Sequence, residues 1–230
     1  IFLLGKLFAI HSVEGRYADK KQEAVLGSND YQAGDFVEEN ALALGKKLGL
    51  SAVNLTEQKL KEVLDINRND KWSNIWRNAI PEHKQNSRQT GADDIVLKLF
   101  RDTLLGYISE DSDNNANEKL SELINSNYQT IKRVAIYVAS ECFEKLEQQV
   151  VTLVIQSNHF NDKYRHELWH FINKNFSSLQ GEQQKSIIEA IDLLDVTDEK
   201  TGALLAKPTA YKKSNWFAAI KDENEDTKAK

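Results

Sequence analysis

Methionine is absent from all 230 residues, cysteine occurs once, proline twice and glycine ten times. A lone cysteine, Cys142, cannot form an internal disulfide, so nothing ties the chain to an oxidising compartment and the cytoplasm is the expected location. Scarce glycine, proline and turn dipeptides exclude a strand-rich sandwich or barrel, which must turn every few residues. No apolar run approaches the roughly 20 residues that span a bilayer, so no membrane association is expected. Charge of one sign is missing as well: 30 Lys and Arg face 35 Asp and Glu, interspersed, for a net charge of −5. Such a chain lacks the positive field that holds nucleic acid or anionic lipid. Also missing are a G-x-x-x-x-G-K-[ST] loop, a G-x-G-x-x-G turn and any C-x-x-C pair, which leaves nucleotide hydrolysis, dinucleotide binding and zinc fingers without an anchor.

What is present reads as helices. The run Ile1 to Ile10 starts abruptly as an apolar, helix-like segment, and with no methionine at position 1 it suggests a helix cut from a longer chain. Lys6 interrupts that run and Ser12-Val13-Glu14 follows it, which is not the layout of a signal peptide. Residues 27–34 form a turn-rich loop, after which Asp35-x-x-Glu38 resembles a capping box opening a helix through Ala41, Leu42, Leu44 and Leu48. Thr56 is the expected N-cap of the next helix. Trp72, Ile75, Trp76, Ala79 and Ile80 follow the i, i+3, i+4, i+7, i+8 spacing of an amphipathic helix that Pro81 ends. A polar loop over 81–92 offers a possible sub-boundary. Beyond it, Asp93 to Ser109 is apolar nearly all round, as a helix covered on several sides would be.

Further helices are expected around Leu120 to Ile124, along the stripe Ile131, Val134, Ala135, Val138 and Cys142, and near 161–175 and 181–195, while Val150 to Ile155, whose β-branched residues also suit a strand, continues the helical stripe without a break and is read as helix. Residues 196–230 read as a loop through Gly202 and Pro208, a short helix around Trp216 and a charged tail from Lys221. Helices of roughly 12 to 17 residues on short polar links make antiparallel neighbours. The expected fold is therefore all-α, one helical region over 1–230 built as an irregular array of helical hairpins, solenoid-like or a bundle. Cys142 in its buried stripe reads as a core residue, and His11, His83 and His159 have no spacing for joint ligation.

One motif could carry chemistry. His166-Glu167-Leu168-Trp169-His170 matches the H-E-x-x-H pattern in which two histidines one turn apart bind zinc and the glutamate activates a water. The longer metzincin form fails at Asn173 and Phe176. Glu189, on the following helix, is the candidate third ligand, with Asp192 as second choice. At about 100° per residue Tyr164, Leu168, Phe171 and Ile172 share one arc and the histidines lie opposite it, facing solvent or a cleft. The same arrangement fits a solvated helix face, and the preceding helical stretch lacks the β subdomain on which such peptidases seat their substrate. Trp169, at the edge of the apolar arc, is the candidate anchor for a protein partner, with helix packing as its alternative role.

Three stretches carry a resemblance: Trp72 to Asn86 with Leu99-Phe100-Arg101-Asp102-Thr103-Leu104, then Tyr164 to Phe176 with Leu179 and the helix to Leu194, then Ser214 to Ile220. Together they look like the helical region of large bacterial ATP-binding defence proteins, the STAND-type antiviral NTPases. That resemblance implies an effector and a P-loop ATPase elsewhere in a parent chain. It also implies a helical array that binds a phage protein and relays binding into homo-oligomerisation, with no zinc ligands at the position of the H-E-x-x-H motif. The sequence thus points to a non-enzymatic interaction and scaffold module without cofactor. The alternative is a zinc-dependent metallopeptidase with His166, His170 and Glu189 as ligands and Glu167 as general base.

Overall fold

Eleven helices and a two-stranded antiparallel sheet form the fold in a computed structural model that describes residues 1–15, 22–81, 91–110 and 114–221. In chain order they are α1 (Phe2–Leu7), β1 (Ile10–Glu14), β2 (Gln22–Leu26), α2 (Asp30–Leu48), α3 (Leu50–Asn67) and α4 (Ser73–Trp76). Then come α5 (Ala92–Glu110), α6 (Asn114–Ile124), α7 (Gln129–Glu141), α8 (Gln148–Val154), α9 (Arg165–Asn175), α10 (Gly181–Asp192) and α11 (Ala206–Lys221). The all-α expectation holds. One cluster of buried apolar side chains runs from Leu4 to Ala219 and draws on both sides of the 81–92 segment. Residues 82–90 of that expected loop, the polar break at 111–113 and the tail after Lys221 lie outside the described residues.

The hairpin is absent from the sequence reading. β1 pairs with β2 from Ile10 opposite Leu26 to Glu14 opposite Gln22, and only Ala24 and Leu26 turn inward, a period-2 signal too short to register. The apolar run at the start of the chain correspondingly stops being helical at Leu7. Asn67 anchors the sheet to α3, its side-chain oxygen accepting from the Ala24 N–H at 2.8 Å.

Helix starts also differ from expectation. Asn29 caps α2 by accepting from the Tyr31 and Gln32 N–H groups, so the helix opens five residues before the Asp35 box. Thr56 sits inside α3 and is buried, and its hydroxyl returns to the carbonyls of Ala52 and Val53 because no water reaches it. The expected continuous stripe from α7 into Val150 is broken by an extended turn at Leu146 and Glu147 before α8 begins. Pro208 lies in the first turn of α11, where a missing N–H costs nothing, so that helix is longer than the expected one around Trp216.

α5 is the central element, with thirteen of its nineteen residues buried. It packs most extensively on α2, and the two run parallel: the start of α2 shares a cavity wall with Asp94, Ile95 and Lys98, and its end faces Tyr107 and Glu110. Short links dictate antiparallel neighbours only for consecutive helices, and α3 and α4 intervene here. The crossing is glycine on backbone. A Cβ on Gly45 would stand 1.9 Å from the Thr103 carbonyl oxygen, and one on Gly106 would stand 2.1 Å from that of Leu42. Around this contact Lys46 pairs with Glu110 at 2.7 Å, and Lys119 of α6 reaches the buried Glu57 of α3 at 2.7 Å.

Gly45→Ala and Gly106→Ala are each expected to lower stability by about 2–3 kcal/mol, because two backbones must separate. Urea unfolding measures this, and the double variant is expected to cost less than the sum, since one displacement relieves both clashes.

Candidate functional site

The segment from Asn69 to Pro81 is pinned by side chains from helices that surround it. Asp70 caps α7 from a distance, its carboxylate accepting from the backbone N–H groups of Gln129 and Thr130 at 2.8 and 2.9 Å. The Trp76 indole donates to the Asn69 carbonyl at 3.1 Å. The Arg77 N–H closes the last helical turn on Ser73, Arg77 itself is extended, and the backbone after it is irregular. The helix that apolar spacing predicts through Ile80 therefore ends at Trp76. Ala79 and Ile80 are buried as expected, whereas Trp72 and Ile75 are exposed.

The reason for the unwinding is a buried set of charges that uses the freed carbonyls. Arg133 of α7 is fully buried, and each of its five donors is placed. Nε and one Nη grip the Glu167 carboxylate at 3.0 and 2.8 Å. The remaining donors reach the carbonyls of Arg77 and Asn78 at 2.8 and 3.0 Å and the Ser73 hydroxyl at 3.2 Å. Glu167 of α9 also accepts from the Ile80 N–H at 3.0 Å. Arg77, likewise fully buried, pairs with Asp94 of α5, which Lys98 contacts from its other oxygen at 3.2 Å. Arg101 donates to the Ile80 carbonyl at 3.0 Å and holds Asp102 at 2.7 Å.

Three arginines thus meet three carboxylates. Arginine suits this role because its flat fork serves a carboxylate and backbone carbonyls together. Even in a helix ended by Pro81 the Arg77 carbonyl would face a residue without an N–H, and those of Asn78 and Ile80 would lie in its unpaired last turn. Here they satisfy guanidinium groups that could not otherwise be buried.

These are the surroundings of the H-E-x-x-H helix. Leu168, Phe171 and Ile172 of α9 are buried on the predicted arc, but so is Glu167, which faces Arg133 and not a cleft. His166 is exposed. His170 bonds Glu141 of α7 at 2.9 Å, stacks near Tyr137, and shares that carboxylate with Lys174. Glu189 stands exposed on α10 with Lys185 at 3.8 Å, and the Asp192 backbone carbonyl receives the Lys213 ammonium. The structure does not gather the candidate ligands: among the described residues no three His, Cys, Asp or Glu side chains converge as metal ligands do. Trp169 is half-buried against α11, donating to the Asn215 carbonyl at 3.0 Å, and Asn173 donates to that of Ala219 at 3.2 Å.

Burial pushes the Cys142 thiol above its ordinary pKa, consistent with a core residue. His11 is exposed, His159 is buried, and His83 lies outside the described residues. No family model matches the chain, and no curated protein or solved structure is similar to it.

Sequence reasoning passed over Arg77, Asp94 and Arg133. The available signal was the choice of arginine: only seven of the 30 basic residues are Arg, and three of those seven are Arg77, Arg101 and Arg133.

Glu167→Gln is expected to cost about 3–5 kcal/mol in urea unfolding, because Arg133 stays buried with its charge uncompensated. Removing both charges in Arg133→Met with Glu167→Leu is expected to cost less than Glu167→Gln plus Arg133→Met. The ties to Ser73, Arg77 and Asn78 remain lost, so the pair of substitutions stays below wild type.

Proposed function

We propose that the chain is a non-enzymatic protein-interaction and scaffold module. On the resemblance to STAND-type antiviral NTPases, it is the sensor part of a defence protein that recognises a phage protein and passes binding to homo-oligomerisation of its parent. The observation that carries this reading is the pair Trp72 and Ile75, 53% and 63% exposed, on the segment that the buried charges immobilise. A large apolar pair on a rigid backbone is what a partner anchor needs, since little entropy is lost on docking. Lys71 lies 5.4 Å over the Trp72 ring and leaves Ile75 beside it uncovered.

The metallopeptidase alternative asks Glu167 to work on a zinc-bound water. Its two oxygens already serve Arg133 and the Ile80 amide, and no feature of α9 favours release. Trp169 holds α11 and is not the anchor we favour.

Calorimetric titration of the purified chain with individually expressed phage proteins tests the reading. One binary complex is expected, weakened about tenfold or more by Trp72→Ala with Ile75→Ala, a loss of about 1.4 kcal/mol or more, at unchanged melting temperature. One equivalent of zinc by elemental mass spectrometry, lost in His166→Ala, together with proteolysis lost in Glu167→Gln, would overturn it.

A further inference from the structure

The turn between α8 and α9 holds a group that the buried charge network does not use. His159 is only 2% exposed, and its Nδ1 lies 2.9 Å from the Val154 carbonyl oxygen. A carbonyl can only accept, so Nδ1 carries the hydrogen and Nε2 presents a lone pair. His159 lines an open pocket of about 420 Å³ together with Lys132, Asn158, Asn161, Lys163 and Tyr164. The Tyr164 ring packs edge-on against the imidazole at 5.1 Å. The Asn161 side chain is fixed by the Asn158 carbonyl and the Lys163 amide at 2.6 and 2.8 Å, so the pocket wall is ordered by its own turn.

The pocket carries an excess of positive charge. Lys132 projects from α7, half-buried, and Lys163 from the turn, and neither forms an ion pair among the described residues. Asp162 supplies the one carboxylate of the wall, so two lysines and one acid line it beside a neutral imidazole. Burial, with the Lys132 charge in addition, holds His159 below its ordinary pKa, so at neutral pH Nε2 accepts and does not donate. Tyr164 is kept protonated by burial and by the charge of Asp70, which leaves its hydroxyl a donor.

We propose that this pocket binds a phosphoryl group in its singly protonated form. Lys132 and Lys163 take its charged oxygens, and Nε2 of His159 accepts its P–OH hydrogen. The requirement for a ligand that offers negative oxygens and one donor follows from the fixed tautomer. Sulfate, which has no such hydrogen at neutral pH, meets only half of the pocket. A single anion also suits a chain of net charge −5, which cannot hold a polyanion.

The test is an NMR titration of the His159 ring signal, assigned by its loss in His159→Gln, at constant ionic strength and neutral pH. Inorganic phosphate and phosphoserine are run in parallel with sulfate. A saturating shift with a dissociation constant of about 1–10 mM is expected for inorganic phosphate, which keeps a P–OH at neutral pH, and a weaker one for phosphoserine, whose phosphoryl group has mostly lost its last proton there. Sulfate should bind at least about fivefold more weakly, and Lys132→Ala should weaken phosphate about tenfold while its melting temperature stays within about 2 °C of wild type. Tighter binding of phosphoserine than of phosphate at neutral pH would contradict the need for a P–OH and overturn the proposal. Equal, non-saturating shifts with phosphate and sulfate, or wild-type phosphate binding by a folded Lys132→Ala variant, would overturn the proposal.

Discussion

The grip of Arg133 on Glu167 decides how the middle of this protein is built. A guanidinium and a carboxylate taken fully out of water are tolerable only if nearly every lone pair and proton finds a partner. Arg133 and Glu167 sit on different helices, and their own groups do not suffice. The missing acceptors for Arg133 are the carbonyls of Arg77 and Asn78, on a backbone that has left the helix, and the Ile80 carbonyl serves Arg101 in the same way. The Ile80 amide, released from helical duty in the same way, completes the carboxylate. Three helices and one strap are therefore fixed by a single polar demand, with Arg77 and Asp94 repeating the arrangement toward α5.

This constraint changes the meaning of the most suggestive motif in the sequence. An H-E-x-x-H helix presents two histidines one turn apart and a glutamate beside them, and here the glutamate and the second histidine serve structural tasks. His166 meets solvent, Glu167 neutralises a buried arginine, and His170 joins Glu141 and Lys174 in tying α9 to α7 at the surface. Strap geometry also accounts for the exposure of Trp72 and Ile75. Their spacing matches a helix whose apolar face would be buried, but once Arg77 and Ile80 are committed to the interior the first turn rolls outward.

Legibility in the sequence follows the range of the forces involved. Where burial on one helix face dominates, as in α5, α7, α9 and α10, periodicity alone located the helix to within a few residues. It also made α5 a helix covered on several sides, and α2, α3 and α7 do pack around it. Where a single polar atom decides, the reading failed: Asn29 outcompeted the Asp35 box as a cap, and the Thr56 hydroxyl turned back on its own helix. The strap from Arg77 to Ile80 failed most fully. Its apolar residues obey helical spacing, and what unwinds it lies 56 and 90 positions further on, at Arg133 and Glu167. The candidate site was legible as residues and not as roles, because no local pattern says which neighbour a carboxylate will meet.

Amide hydrogen exchange at Ile80 tests the central claim most directly. Its N–H lies outside any helix or sheet, so its protection depends on acceptance by Glu167 alone. The account predicts that in wild type this amide exchanges as slowly as core amides of α5 and α7, and that in Glu167→Gln it exchanges far faster than they do. Exchange at Ile80 at the rate of an ordinary loop amide in the wild-type protein would contradict the claim that this ion pair holds the strap.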